Sequence, residues 1–285
     1  MDYEAPIPDI LFTLRHIAGF GELVRDGLFE GLDEDTALAL LEQAGSFAAG
    51  VWAPLDRKAD LQGARFADGA VRTPDGFADA YRQWIEAGWN AVTAPEAWGG
   101  SGLPVMLGAA VMEMWTGACM SFAVAPVLTQ GAVDALLAHG SEDLKARYLP
   151  KLVSGAWTAT MALTEPGAGS DLALLRTRAE RAADGTYRLA GQKIFITYGE
   201  HDLTENIVHL VLARLPDAPP GTRGISLFLV PKVLPSGATT CAAPGSSTNW
   251  ACTARPPAPW SSAITAGRWA GWSARSIAAW PACSR

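Results

Sequence analysis

The chain has 285 residues, a net charge of -7 and 49% hydrophobic residues. That length can bury one large core or two ordinary ones. The acidic balance argues against a nucleic-acid backbone binder and against charge-driven attachment to a membrane, and no apolar run is expected to cross a bilayer.

Asp2 and Glu4 open the chain without a secretory pattern, so a cytoplasmic protein is expected. Residues 1–157 read mostly as helix. Asp33 and Asp35 are N-cap candidates before a helical apolar run. Phe77, Tyr81, Trp84, Ile85 and Gly88 recur at helical spacing after Pro74-Asp75. The Gly- and Pro-rich stretch 93–104 is a loop. The run from Val105 to Val127 reads as a buried helix, broken by Gly117 and ending before Pro126. Ser141 is an N-cap for the helix that follows it, with Glu142 and Asp143 at the positive end of its dipole.

From about residue 158 the pattern shortens to strands: WTATMAL, LLRTRAERA, YRLAGQKIFIT, NIVHLVLAR and GISLFLV. Asp184-Gly185 signals a hairpin between the second and third. Helices first and an antiparallel sheet afterwards is an α+β order. Arg176 and Arg178 alternate on one strand and are expected to face solvent. Cys119, Cys241, Cys252 and Cys283 make no C-x-x-C pair, and His16, His139, His201 and His209 show no ligand spacing, so no metal centre is indicated.

After Gly237 the composition changes. Residues 238–285 lack Leu, Val, Phe, Met, Tyr, Asp, Glu and Lys, yet hold five of the eleven tryptophans and three of the four cysteines. Such a segment builds neither an ordinary core nor a charged disordered tail. Trp has one codon, TGG, and in the frame that joins the last base of one codon to the first two of the next it always gives Leu, Val or Met, residues that are missing. The segment therefore reads as an out-of-frame, disordered tail beginning near Pro235 to Ala238.

The stretch MALTEPGAGSDL (161–172), followed after a hairpin by GQKIFIT (191–197), carries the chemistry. A Gly-rich loop alone is weak, because glycine mostly serves turns. T-E-P-x-A-G-S-D with G-x-K-x-(aromatic)-I-T at this distance is specific, and it resembles the acyl-CoA dehydrogenase signature. The resemblance runs from Tyr3 to about Pro235. The opening YEAPIPDILFTL and the stretch ITYGEHDLTENIVHLVLARL are similar to a longer-chain branch that includes 3-methylmercaptopropionyl-CoA dehydrogenases.

The resemblance implies a helical N-terminal domain (1–157), a partial antiparallel β-barrel domain (158–237) and FAD as cofactor. It implies acyl-CoA as substrate, an electron-transfer flavoprotein as acceptor and a homo-oligomer in intact relatives. Met161, Ala162, Leu163, Thr164, Gly169, Ser170, Phe195, Ile196 and Thr197 would line the FAD, and Ser170 would also touch the acyl-CoA. Met161 and Phe195 stand where most relatives carry an aromatic residue and Trp. Backbone N–H groups from Met161 to Thr164 suit the pyrimidine edge of a flavin. Thr197, at the end of the neighbouring strand, suits the N5 side, and Phe195 offers a flat apolar face.

Read without the family, Thr164 and Thr197 are ordinary strand residues, Gly167 and Gly169 shape a turn, and Ser170-Asp171 is an N-cap. Glu165 is a tempting base for the α-proton of a thioester, but it belongs to the loop signature and is expected to pin that loop. The family's base is a Glu of a C-terminal helical bundle that this sequence does not contain, so the chain alone is expected to be inactive. A non-catalytic remnant, an acyl-CoA oxidase and a flavin monooxygenase on the same scaffold are the alternatives. Asp202 and Glu205 read as loop or cap residues, and Glu96, Trp98 and Gly99 as a loop near the substrate.

Overall fold

A computed structural model describes residues 3–234, 240, 263–266 and 276–277, apart from Glu30, Gly69 and Asp184. It divides into two compact units, Met1–Gly63 with Pro74–Val124, and Ala64–Thr73 with Ala125–Arg285.

The first unit is helical. It contains α1 (Ile7–His16), α2 (Phe20–Arg25), α3 (Glu34–Phe47), α4 (Ala53–Gln62), α5 (Phe77–Glu86) and the start of α6 (Val105–His139). Asp33 caps α3 by accepting from the Thr36 amide at 2.7 Å, as its position before the apolar run predicts. The periodic residues of α5 point inward, with Phe77, Tyr81 and Trp84 all buried. They join an aromatic core in which Trp52 packs on Phe122 and Trp115 with ring centroids 4.6 and 5.1 Å apart.

The sequence misplaces the break in α6. Gly117 stays helical, and its missing side chain makes room for Tyr3, whose ring lies 3.3 Å from where a Cβ would stand. The break comes at Cys119 (φ -156°, ψ 87°), and the helix resumes through Pro126 to His139. An internal proline costs about 3 kcal/mol; the buried side chains of Ala132, Val133 and Leu136 beyond it offset that. Contrary to the sequence expectation, α6 is long and apolar enough to cross a membrane by length and composition alone. A buried core helix meets the same description, and Leu107, Val111, Met114, Trp115 and Phe122 are buried side chains of this one.

In the second unit, Ser141 caps α7 (Glu142–Val153) by accepting from the Leu144 amide. The hairpin of β1 (Arg65–Ala67) and β2 (Ala70–Arg72) also belongs here. The main sheet holds β3 (Trp157–Ala162), β4 (Arg178–Arg181), β5 (Tyr187–Ile194), β6 (Asn206–Arg214), β7 (Ile225–Pro231), β8 (Ala263–Ala266) and β9 (Ser276–Ile277). Its order is β8-β5-β4-β6-β7-β9, with β3 beside β6. The α+β order holds, and the described residues form no closed barrel. The sheet is mixed, however, and not antiparallel throughout. β3 lies parallel to β6, from Trp157 opposite Asn206 to Ala162 opposite Val211. The chain makes the β4–β5 hairpin before it returns, so β6 enters in the direction of β3.

The tail expected to be disordered contributes β8 and β9, paired antiparallel with β5 and β7. An unpaired strand edge is a template for such additions. The rest of that tail lies outside the described residues, apart from Thr240, and so does the Asp184 of the predicted hairpin turn. One face of the sheet closes over Ala162, Ala179, Leu189, Ile196, Val211, Ala213, Phe228 and Val230.

Candidate functional site

The site is built where β3 ends. The Ala159 amide donates sideways to Thr129 Oγ1 at 3.1 Å, away from β6. Strand N–H groups alternate in direction, so the Met161 amide points to that same outer side. Ala162 is fully buried in the core, and only its backbone could meet a ligand. Met161, Leu163 and Thr164 are half-buried, whereas Pro166, Gly167, Gly169 and Ser170 are exposed.

Glu165 organises the loop. One carboxylate oxygen, Oε1, accepts from the Thr177 amide (3.0 Å), the Thr177 hydroxyl (2.5 Å) and Lys193 Nζ (2.8 Å), while Oε2 accepts from the Arg176 amide (2.7 Å). Lys193 also donates to the Leu163 carbonyl at 2.9 Å. Both members of the ion pair are buried. Burial pushes the Glu165 carboxyl up, but the hydrogen bonds from Lys193, Thr177 and the Arg176 amide outweigh it and hold it below its ordinary value. Burial pushes the Lys193 ammonium down, and Glu165 restores it only in part. A buried carboxylate held by four donors in this way is poorly suited to take a substrate proton, so Glu165 pins the loop as the sequence predicts.

The second motif serves the same centre. A Cβ on Gly191 would stand 2.2 Å from the Thr177 hydroxyl, so glycine there lets Thr177 reach Glu165. Two residues on, Lys193 supplies the counter-charge. The Ile194 amide then donates to the Thr164 carbonyl at 2.9 Å, joining the two motifs.

Gly167 and Gly169 behave differently. Neither has a positive φ. A Cβ on Gly167 would meet nothing within 4 Å, and one on Gly169 would only touch Thr164 Cγ2 at 4.0 Å. The fold itself does not demand glycine at either position.

β5 ends at Ile194, so Thr197 lies in a turn beyond the strand and not at its end. Phe195 and Tyr198 both adopt left-handed backbone, φ +59° and +50°. Leaving the strand direction there turns the Phe195 ring out, 62% exposed, while Ile196 is buried in the core. The Thr160 hydroxyl donates to the Thr197 carbonyl at 2.6 Å.

The remaining sequence readings fall into place around this. Arg176 and Arg178 are exposed, alternating with buried Thr177 and Ala179. Asp171 Oδ1 accepts from the Ala173 amide at 2.9 Å and so caps a short helical turn. Asp202 accepts from the Thr73 amide and hydroxyl at 3.0 and 2.8 Å, fastening the end of β2. Thr160, Thr177, Lys193, His209 and Arg214 support the site without having been singled out. The signal for Lys193 was present in the G-x-K motif. For the others, pairing across distant strands carries the information.

Comparison with known proteins identifies the architecture. Residues 34–156 match the family model of the acyl-CoA dehydrogenase N-terminal domain, and residues 160–252 match that of the middle domain, continuing past the change in composition at 238. The chain is 49% identical over 234 residues to a 3-methylmercaptopropionyl-CoA dehydrogenase of Ruegeria pomeroyi, covering 82% of this chain and 40% of that protein. It superposes on the crystal structure of a probable acyl CoA dehydrogenase from Mycobacterium abscessus with a TM-score of 0.64 at 26% identity, over 83% of this chain and 56% of that one. An acyl-CoA dehydrogenase from Bacillus anthracis, solved in complex with FAD, shares the fold with a TM-score of 0.62 at 22% identity, over 84% and 37% of the two chains. The chain thus spans less than half the length of the first curated relatives it matches. Two consecutive domain matches, the joined TEPGAGSD and GQKIFIT motifs and the shared fold together establish that this chain belongs to the acyl-CoA dehydrogenase family.

Proposed function

We propose that this chain forms the flavin-facing part of an FAD-dependent acyl-CoA dehydrogenase, and that without further helical structure it does not turn over. Met161, Ala162, Leu163, Thr164, Gly169, Ser170, Phe195, Ile196 and Thr197 would contact the FAD, with Ser170 also touching the acyl-CoA. The observation that carries this reading is the pair of loop glycines, Gly167 and Gly169, which no contact of the fold requires. They leave backbone open to close approach by a ligand, and the Phe195 ring of the second motif is 62% exposed.

The donor set fits an isoalloxazine. The Met161 amide points off the sheet edge, and Thr164, which carries a hydroxyl, is half-buried. Ala162 and Ile196, whose side chains are buried, would contribute backbone only. When bound, FAD would supply the two-electron acceptor for α,β-dehydrogenation of an acyl-CoA. The chain's own residues would orient it: Glu165, Thr177 and Lys193 fasten the loop, and the exposed Phe195 ring would offer one face to it. Reoxidation by an electron-transfer flavoprotein and assembly as a homo-oligomer belong to the same reading.

The test is an FAD titration of the purified 285-residue chain, followed by addition of acyl-CoA. Flavin uptake with no bleaching of the bound flavin is expected. Failure to take up FAD sinks the binding reading, and bleaching on adding acyl-CoA sinks the claim of inactivity. We further infer that residues 238–285 are read out of frame. The nucleotide sequence across codons 230–290 decides that, since the other frame should encode Leu- and Val-containing family sequence.

A further inference from the structure

The turn from Phe195 to Gly199 is an unusual piece of backbone. Two bulky non-glycine residues three positions apart, Phe195 and Tyr198, lie in the left-handed region, which side chains with a Cβ avoid. Such a turn persists only where its surroundings over-determine it. Here the surroundings are two side chains on adjacent strands. Thr160 on β3 and His209 on β6 are direct partners in the parallel register. Thr160 Oγ1 donates to the Thr197 carbonyl at 2.6 Å. His209 Nε2 lies 2.8 Å from the Gly199 carbonyl.

Both ring nitrogens face carbonyl oxygens, which only accept; the shorter contact, 2.8 Å to Gly199 against 3.2 Å to Val230, assigns Nε2 as the donor in the neutral ring. The other nitrogen, Nδ1, lies 3.2 Å from the Val230 carbonyl on β7. The imidazole is buried and braced against the sheet. Across the turn itself the Gly199 amide donates to the Ile196 carbonyl at 3.2 Å.

We propose that His209 is a positioning residue: together with Thr160 it holds the Phe195–Gly199 turn in its left-handed form, and so sets where Phe195 and Thr197 meet the flavin. The second half of this statement rests on the FAD reading above. The first half concerns only the chain.

The experiment compares the full chain with His209→Leu, His209→Gln and Thr160→Val by hydrogen exchange of the Gly199 amide, alongside FAD titration. Loss of one buried hydrogen bond should speed Gly199 exchange about tenfold in His209→Leu, with the β6–β7 amides still protected. A glutamine amide can donate to the Gly199 carbonyl, so His209→Gln should restore slow exchange. Thr160→Val removes a hydroxyl at nearly constant volume and should loosen the same turn; it decides the matter should His209→Leu fail to fold. FAD affinity should weaken in step with exchange. Unchanged Gly199 exchange overturns the proposal, as does faster exchange across the whole sheet that glutamine does not rescue. Should the wild-type chain take up no FAD, the functional reading falls, while the exchange data still decide whether His209 holds the turn.

Discussion

Replacing Glu165 with glutamine should cost the sheet unit about 3–5 kcal/mol, the usual result of removing one partner of a buried ion pair. The structure gives the reason for each part of that cost. Oε1 accepts three hydrogen bonds and Oε2 accepts one. A glutamine must place its NH2 at one of these positions. At Oε2 it opposes the Arg176 amide; at Oε1 it opposes three donors. The first orientation is the less costly, and it still leaves a buried N–H without an acceptor, worth about 1–3 kcal/mol. It also leaves the Lys193 ammonium buried without counter-charge. Lys193→Met should cost less, about 2 kcal/mol, because the carboxylate keeps its three other donors. The double variant should be more stable than Glu165→Gln alone, since no uncompensated charge remains.

Because the chain has two compact units, a single global unfolding energy would mix them. Urea-dependent hydrogen exchange at the β3, β5 and β6 amides reports the relevant unit. Acid titration adds a second reading. The folded Glu165 carboxyl is held below its ordinary value of 4.5. Its contribution is therefore full above that pH and is lost as pH falls through the lower folded value. Glu165→Gln should abolish this part of the acid sensitivity. A cost under about 1 kcal/mol, or strict additivity of the two substitutions, would refute the picture of a buried, coupled centre.

Gly191→Ala should destabilise the sheet unit by about 1–3 kcal/mol through overpacking against Thr177, read as a drop in urea midpoint. Gly167→Ala should leave stability within about 0.5 kcal/mol and weaken FAD binding; equal effects of the two alanines on stability would contradict their different surroundings. His201, held neutral by burial and the nearby Lys232 charge, has its pKa lowered from 6.5 to about 3. The unfolded chain then binds the extra proton first, so stability should fall by up to about 1.4 kcal/mol per pH unit as pH drops from 6.5 towards 3, and His201→Asn should flatten that slope between pH 7 and 5. Arg214 donates to the carbonyls of Ala173, Leu175 and Gly221 at 2.7–3.0 Å. Arg214→Lys cannot reproduce this planar fork and should raise proteolysis at residues 172–175 and 219–221.

The family was legible in the sequence because its signature is local. TEPGAGSD and GQKIFIT are short, ordered runs whose residue types and separation are informative without any fold. The helical spacing of Phe77, Tyr81 and Trp84, the caps at Asp33 and Ser141, and the five central strands are likewise local, set by side-chain period and by end groups that satisfy free amides. The expectation that Glu165 pins its loop also came from the sequence alone. What it could not give was the set of partners. Lys193 and Thr177 meet Glu165 only because β4 and β5 pair, and Thr160 meets the turn after β5 only because β3 lies parallel to β6. Gly117 read as a helix break because nothing nearby in sequence reveals Tyr3, 114 positions earlier, filling its place. Composition and motif are properties of the chain, whereas hydrogen-bond partners and steric room are properties of segments brought together by folding, and these decide which glycines the fold needs and which it leaves open.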